Sequence, residues 1–296
     1  MTLQLEIKNL IERVESRVND LNFNVQDFPS LATELLRTFD WNFNHLEFQD
    51  YLNSLGPLPR QSFARDEFGE LPFTLFQHEK FHLDIYVWNN NETSIHDHHF
   101  CGAFKLLAGQ SLQVTYHFEE GRNVSPLVDV GTLTKISTCY LNQGDVQEIQ
   151  LGEKFIHRVI HLDFPTVTFI LRTPDLKDNL YSYWSSGLRL KFNFDHPKMI
   201  KTLDFFDSIL VFHQDDQDQS FVEKLIYPIL DQFTVVEMAA CLLRMRLFVS
   251  EPVHKMIKDY ALKSPLASDY ELMLSSINNE QKMIHKLLFL KYVTRA

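Results

Sequence analysis

The positions of the glycines constrain the fold of this 296-residue chain more than any other feature of its sequence. All nine glycines lie between Gly56 and Gly187. Glycine marks tight turns and bulges, and its conformational freedom makes it costly inside helices. We therefore predict a turn-rich β region in the middle of the chain, with helices on both sides.

The flanks of this region show helical spacing of apolar residues. The first 21 residues carry one apolar stripe, made of Leu3, Ile7, Leu10, Ile11, Val14, Val18 and Leu21. A second helix is predicted after Pro29 and a third near 46–55. Helical spacing returns after His196, which predicts four to six further helices.

Residues 68–173 instead contain short β-rich runs separated by turn-like stretches, such as 89–91, 120–123 and 142–145. Strands are predicted at 81–88, 102–107, 112–118, 146–151, 155–160 and 167–172. Many short strands at this spacing are typical of a sandwich or barrel. The chain is thus divided into a helical segment (1–67), a β domain (68–188) and an all-helical domain (189–296).

Charge and composition exclude several classes of protein. The net charge of −11 argues against nucleic acid as a partner and disfavours anionic membranes. No apolar run is long enough to span a membrane. Three cysteines are too few for a disulfide framework. We expect a cytoplasmic protein that binds neither nucleic acid nor membrane.

Histidine is concentrated in the β region, where eight of the thirteen histidines lie between His78 and His161. His96 and His98 alternate along one strand, so their side chains point to the same face. His157, on a strand of its own, would supply a third ligand. Neutral imidazoles suit iron, zinc, copper or nickel rather than magnesium or calcium. Four of the other β-region histidines are interpreted as ordinary hydrogen-bonded side chains, namely His78, His82, His117 and His161. His99 is left out of the ligand set because it follows His98 directly and points to the opposite face.

Three stretches of sequence resemble the cupin superfamily and, within it, the cysteine dioxygenase-like thiol dioxygenases. The first stretch, Trp88 with residues 94–98 and 104–109, resembles the family's first metal motif, and residues 144–159 resemble the second. Residues 164–174 resemble the strand and proline that close the family's barrel. The resemblance implies an α+β fold with a central cupin double-stranded β-helix barrel, a helical N-terminal segment and an all-helical C-terminal domain. It also implies Fe(II) held by His96, His98 and His157, with O2 and a small thiol as substrates and a sulfinate as product.

The sequence departs from that family at several positions. No glutamate follows the histidine pair, so three neutral ligands leave the ion its full charge and favour an anionic chelating substrate. Residues 72–79 lack the family's substrate-binding arginine, and its Ser-His-Tyr relay is replaced by Thr168, Ile170 and Arg172. Gly102 stands where some members carry a crosslinked cysteine. We therefore expect a small thiol or other small anion other than cysteine.

Arg172 and Tyr86 are the predicted substrate-binding residues. A buried guanidinium needs a carboxylate partner, which would be either the substrate or an internal acid such as Glu148 or Asp145. Tyr86 precedes the histidine pair by one strand and would be a pocket residue or a core aromatic with a satisfied hydroxyl. The sequence identifies no catalytic residue.

Two further functional hypotheses stay open. The chain could be a metal-binding cupin that senses a ligand or binds a partner protein, or a zinc or nickel isomerase or lyase, because a fold does not decide a function. The C-terminal helices would form either a structural cap or a lid, a dimer contact or a partner surface.

Overall fold

The computed structural model describes residues 2–20, 23–61, 72–88, 92–125, 128–177 and 180–191, together with 224, 258–259 and 262–263. The predicted all-helical domain at 189–296 falls outside these residues, apart from a strand that ends at Lys191 and the few isolated positions. Within the described part of the chain, no helix is both long enough and apolar enough to cross a membrane.

Three N-terminal helices form where the apolar spacing predicts them. They are α1 (Leu3–Val18), α2 (Phe28–Thr38) and α3 (His45–Ser54). The buried residues of α1 are those of the predicted stripe, namely Leu3, Ile7, Leu10, Val14 and Val18. Proline at the first turn of α2 suits a helix start, because its missing N–H has no partner there in any helix.

Asn44 caps α3, and we expect this cap to contribute measurably to stability. Its side-chain oxygen accepts hydrogen bonds from the backbone N–H groups of Leu46 at 3.0 Å and Glu47 at 3.3 Å. Asn44→Ala should lower the free energy of unfolding by about 1 kcal/mol, because both donors lose their partner. Asn44→Asp keeps the acceptor and should unfold like the wild type in urea. Equal midpoints for Ala and Asp would contradict the capping role.

The described residues contain eleven β-strands. In chain order they are β1 (Phe73–Gln77), β2 (His82–Trp88), β3 (Ile95–His96), β4 (Gly102–Ala108), β5 (Ser111–Ser125), β6 (Val128–Leu141), β7 (Val146–Ile149), β8 (Ile156–His161), β9 (Thr166–Arg172), β10 (Tyr181–Tyr183) and β11 (Leu188–Lys191). Five of the six predicted strands are present within about two residues of their predicted bounds, and the sixth, predicted at 112–118, forms the first half of the longer strand β5.

Five of the strands form one sheet, in the order β1-β2-β9-β4-β7. One face of this sheet packs against the helices through a continuous apolar core, in which Phe39 stacks on Phe169 with ring centroids 4.9 Å apart. The opposite face carries a second apolar cluster that includes Tyr86, Phe104 and Ile170. Because side chains alternate along a strand, each central strand of the sheet contributes side chains to both of these apolar clusters.

The other six strands close into a barrel in the order β10-β11-β6-β5-β8-β3. This β-rich architecture is consistent with the predicted cupin barrel. One predicted turn is wrong: residues 120–123 lie inside β5, which pairs through a long hairpin with β6, a strand that was not predicted. A Cβ on Gly121 would lie 3.0 Å from the Val130 carbonyl oxygen, so this glycine permits close strand approach rather than a turn.

Two compact units can be distinguished in the chain. The first comprises Met1–Phe118 and Thr134–Ser182, and it contains α1, α2, α3 and all three histidines of the predicted site. The second comprises Glu119–Leu133 and Tyr183–Ala296. Its described residues include a buried ion pair, in which the Arg189 guanidinium donates to Asp129 at 2.7 and 2.8 Å. Arg189 also lies 3.2 Å from a Glu120 carboxylate oxygen.

Candidate metal centre

The three predicted histidines come together inside the first unit. His96 ends β3 and pairs in register with His157 on β8. His98 was predicted on the same strand as His96, but it lies two residues beyond the end of β3. All three are buried, and one ligand nitrogen from each lies within 4.8 Å of the others. Three histidines in this arrangement could hold a divalent metal ion.

Hydrogen bonds fix the tautomers of two of these rings. The Nδ1 of His96 donates to the Ser94 carbonyl oxygen at 2.8 Å, since a carbonyl can only accept. The Nδ1 of His157 lies 3.2 Å from Oε1 of Gln113, whose amide in turn donates to Gln147 at 3.2 Å. Both Nε2 atoms therefore present lone pairs, as in metal sites where a hydrogen bond from the other ring nitrogen orients the ligating imidazole.

The spacing of these lone pairs fits a bound cation. The Nε2 atoms of His96 and His157 are 3.2 Å apart, and no proton is available to bridge them. When two nitrogens bind the same ion at about 2.1 Å, they are about 3.0 Å apart if the N–metal–N angle is a right angle and about 3.4 Å apart if the angle is tetrahedral. The observed distance lies between these values, and a cation would remove the repulsion between the facing lone pairs.

Burial keeps the three imidazoles neutral, which is the form that binds metal. It lowers the pKa of His96 to about 4, although the hydrogen bond to Ser94 raises it somewhat. Burial, followed by the neighbouring imidazoles, holds the pKa values of His98 and His157 well below the ordinary range of histidine.

The histidines line a cavity with a volume of about 60 Å³. Its other walls are mostly aromatic and aliphatic, with a few neutral polar groups, and the described lining contains no Asp, Glu, Lys or Arg. The lining residues besides the trio are Tyr86, Trp88, Thr93, Phe100, Phe104, Leu106, Ser111, Ile149, Val159, His161, Thr168 and Ile170. An ion in this cavity would therefore meet no carboxylate ligand from the described walls.

Tyr86 lies where it was predicted, on the cavity wall. Its ring stacks on Trp88 with a centroid distance of 5.0 Å and an interplanar angle of 6°. The Trp88 indole N–H donates to Thr168 at 2.9 Å. Tyr86 and Trp88 thus form an aromatic part of the cavity wall.

Arg172 is held by an internal carboxylate. Its Nε donates to Oδ2 of Asp84 at 2.5 Å, and Asp84 is fully buried. The guanidinium also lies 4.9 Å from the ring centroid of Phe100, a cavity residue, and 3.4 Å from Asp175. Arg172 is absent from the described lining of the cavity. Asp84 therefore takes the place of the internal acids suggested by the sequence, Glu148 and Asp145.

Two kinds of residue were missed by the sequence analysis. His161 and Ser111 line the cavity, although His161 was interpreted as an ordinary side chain. The signal was its separation of four residues from His157 on one strand, which places both on the same face. Gln113, the partner of His157, left no comparable signal, because a strand glutamine has no distinctive pattern.

No family model matches the sequence, and no curated protein matches it. Similar solved structures include a hydroquinone 1,2-dioxygenase in complex with Cd2+ and 4-hydroxybenzonitrile, at 12% identity and a TM-score of 0.26, with 37% of this chain and 66% of that chain covered. A DMSP lyase from Ruegeria pomeroyi has 13% identity and a TM-score of 0.31, with 60% and 95% covered. An RmlC-like cupin from Shewanella frigidimarina has 12% identity and a TM-score of 0.27, with 40% and 95% covered.

Proposed function

We propose that this protein is a cupin and an Fe(II)-dependent oxygenase, which joins O2 to a small thiol or another small anionic substrate. The observation that carries the proposal is the convergence of His96, His98 and His157 in a cavity whose described lining offers no carboxylate. Three neutral ligands leave a divalent ion its full charge, so the site favours an anionic donor from the substrate.

The ion, when bound, supplies open coordination positions for the substrate and O2, and ferrous iron also supplies reducing electrons. The protein supplies orientation and exclusion of water. Ser94 and Gln113 hold two of the imidazoles in the ligating tautomer. The stacked pair of Tyr86 and Trp88 makes part of the cavity wall apolar, and an apolar wall strengthens electrostatic attraction between a cation and an anionic substrate.

Metal analysis of the full chain tests this proposal first. Protein purified without an affinity tag or a chelator should contain close to one iron per chain, measured by inductively coupled plasma mass spectrometry. The ferrous protein should then consume O2 in the presence of small thiols, and the chelated protein should not.

The identity of the bound metal distinguishes oxygenase chemistry from non-oxidative chemistry. One zinc or nickel per chain, with no oxygen uptake by the iron-loaded form, would replace the oxygenase with non-oxidative chemistry such as an isomerase or a lyase. Failure to bind any divalent metal after reconstitution would contradict the metal centre itself.

A further inference from the structure

His161 lies in the same cavity as the three histidines but at a different level of the barrel. His157, Val159 and His161 share the inward face of β8, and all three line the cavity. Four strand residues span about 13 Å, so the Cα of His161 is about that far from the Cα of His157. The cavity thus has a metal end and a second end marked by His161.

The ring of His161 is held in place on two sides. Its Nδ1 lies 3.1 Å from the Ser111 hydroxyl, and the two residues are paired in register across β8 and β5. Trp88 stacks on the ring with centroids 4.8 Å apart. The indole N–H of Trp88 is already bonded to Thr168, so it does not compete for the imidazole.

The remaining nitrogen of His161 is buried and has no hydrogen-bond partner among the described residues. His161 is 2% exposed, so bulk water does not reach this Nε2 freely. A buried polar atom without a partner costs free energy, and a ligand that supplies the missing hydrogen bond recovers it.

The surroundings define the kind of group that would bind there. The described lining contains no charged side chain, and burial lowers the pKa of His161 to about 4, so the imidazole is neutral at pH 7. A charged group at this end would lose hydration without gaining a counter-ion. An uncharged hydroxyl or carbonyl would lose much less and would gain the hydrogen bond.

The cavity also limits the size of the ligand. Its volume of about 60 Å³ is well below the 150 Å³ or so of a cavity that holds benzene. A short aliphatic chain of a few heavy atoms matches this space better than an aromatic ring does.

We infer that His161, oriented by Ser111, determines specificity by hydrogen-bonding an uncharged polar group at the end of the substrate remote from the metal. This inference rests on the proposed function. The substrate class is a short aliphatic molecule with an anionic metal donor at one end and a hydroxyl or carbonyl group at the other. His161 acts in recognition and is assigned no proton-transfer step.

Two thiols of equal length test this inference without turnover. Full-length protein reconstituted with Co(II) is titrated anaerobically with 3-mercaptopropan-1-ol and with butane-1-thiol, and thiolate binding is followed by charge-transfer absorbance. The hydroxyl compound should bind about fivefold to tenfold more tightly, the value of one buried hydrogen bond. His161→Phe keeps an aromatic ring against Trp88 and should remove this preference while leaving the affinity for butane-1-thiol within about twofold.

Further measurements distinguish a failure of this inference from a failure of the proposed metal centre. Equal affinities of the two thiols in the wild type would overturn the inference whether or not the variant folds, and so would tighter binding of 3-mercaptopropionate than of the alcohol. His161→Gln, which retains a hydrogen-bonding group, should keep part of the preference. Failure of the wild type to take up Co(II) would instead contradict the proposed metal centre.

Discussion

Replacing His157 with alanine should abolish stoichiometric metal binding and weaken affinity by more than about 100-fold. Loss of a group that only hydrogen-bonds to a ligand typically weakens metal affinity 10-fold to 100-fold, and here one of three protein ligands is itself lost. His157 is also the ring whose Nε2 lies 3.2 Å from that of His96, so its removal breaks up the pair of converging lone pairs. Metal content after dialysis against Fe(II) or Zn(II) measures the effect.

Two other variants provide a control with unchanged metal affinity and a variant with an intermediate loss of affinity. His117 lies on β5 with an exposed side chain, so His117→Ala is the matched control and should bind metal like the wild type. Gln113→Leu removes the acceptor of the His157 Nδ1 proton and should weaken binding by about 10-fold to 100-fold.

Thermal unfolding supplies an independent measurement of the same effect. Metal that binds only the folded state raises its stability, by about 2.7 kcal/mol at a free concentration of 100 times Kd. Added metal should therefore raise the Tm of the wild type and of His117→Ala but not of His157→Ala. A His157→Ala protein that folds and keeps one ion per chain would contradict the assignment of the ligands.

The sequence predicted those parts of the fold that depend on alternation and periodicity. The helices of the first 55 residues bury one face each, whereas strands such as β4 and β9 are buried on both faces and form short apolar runs. Both patterns can be read from the sequence. Strand β6 was missed because half of its residues are exposed, including five consecutive residues at 134–138, so it shows little apolar alternation. The predicted turn at 120–123 was wrong because Gly121 allows β5 and β6 to lie close together instead of forming a turn.

The ligand set was predictable for a similar local reason. Alternation along a strand predicted that His96 and His98 would share a face, and the two side chains do converge, although β3 ends at His96 and His98 lies beyond it. The partner of Arg172 was not predictable, because Asp84 lies 88 positions away along the chain. Its proximity depends on the antiparallel pairing of β2 with β9, in which His82 is opposite Arg172 and Asp84 is two residues further along. Register of this kind is a property of the whole sheet.

Replacing Arg172 with methionine should lower the free energy of unfolding by about 3–5 kcal/mol, which is the usual cost of removing one partner from a buried ion pair. Asp84 is fully buried and its other oxygen, Oδ1, has no hydrogen-bond partner in the described structure. Without the guanidinium, its carboxylate would stay charged in the protein interior or bind a proton. Urea unfolding followed by circular dichroism measures the loss.

The double variant Asp84→Leu/Arg172→Met distinguishes an ion pair from a substrate contact. Replacing both partners with apolar side chains leaves no buried charge, so its free energy of unfolding should return to within about 1 kcal/mol of the wild type. If Arg172 only neutralises Asp84, this stable double variant should also retain the KM and kcat for oxygen uptake. If Arg172 holds a substrate carboxylate, KM should rise in the single and double variants alike, because neither has a guanidinium. Recovery of stability without recovery of KM would therefore assign Arg172 to the substrate.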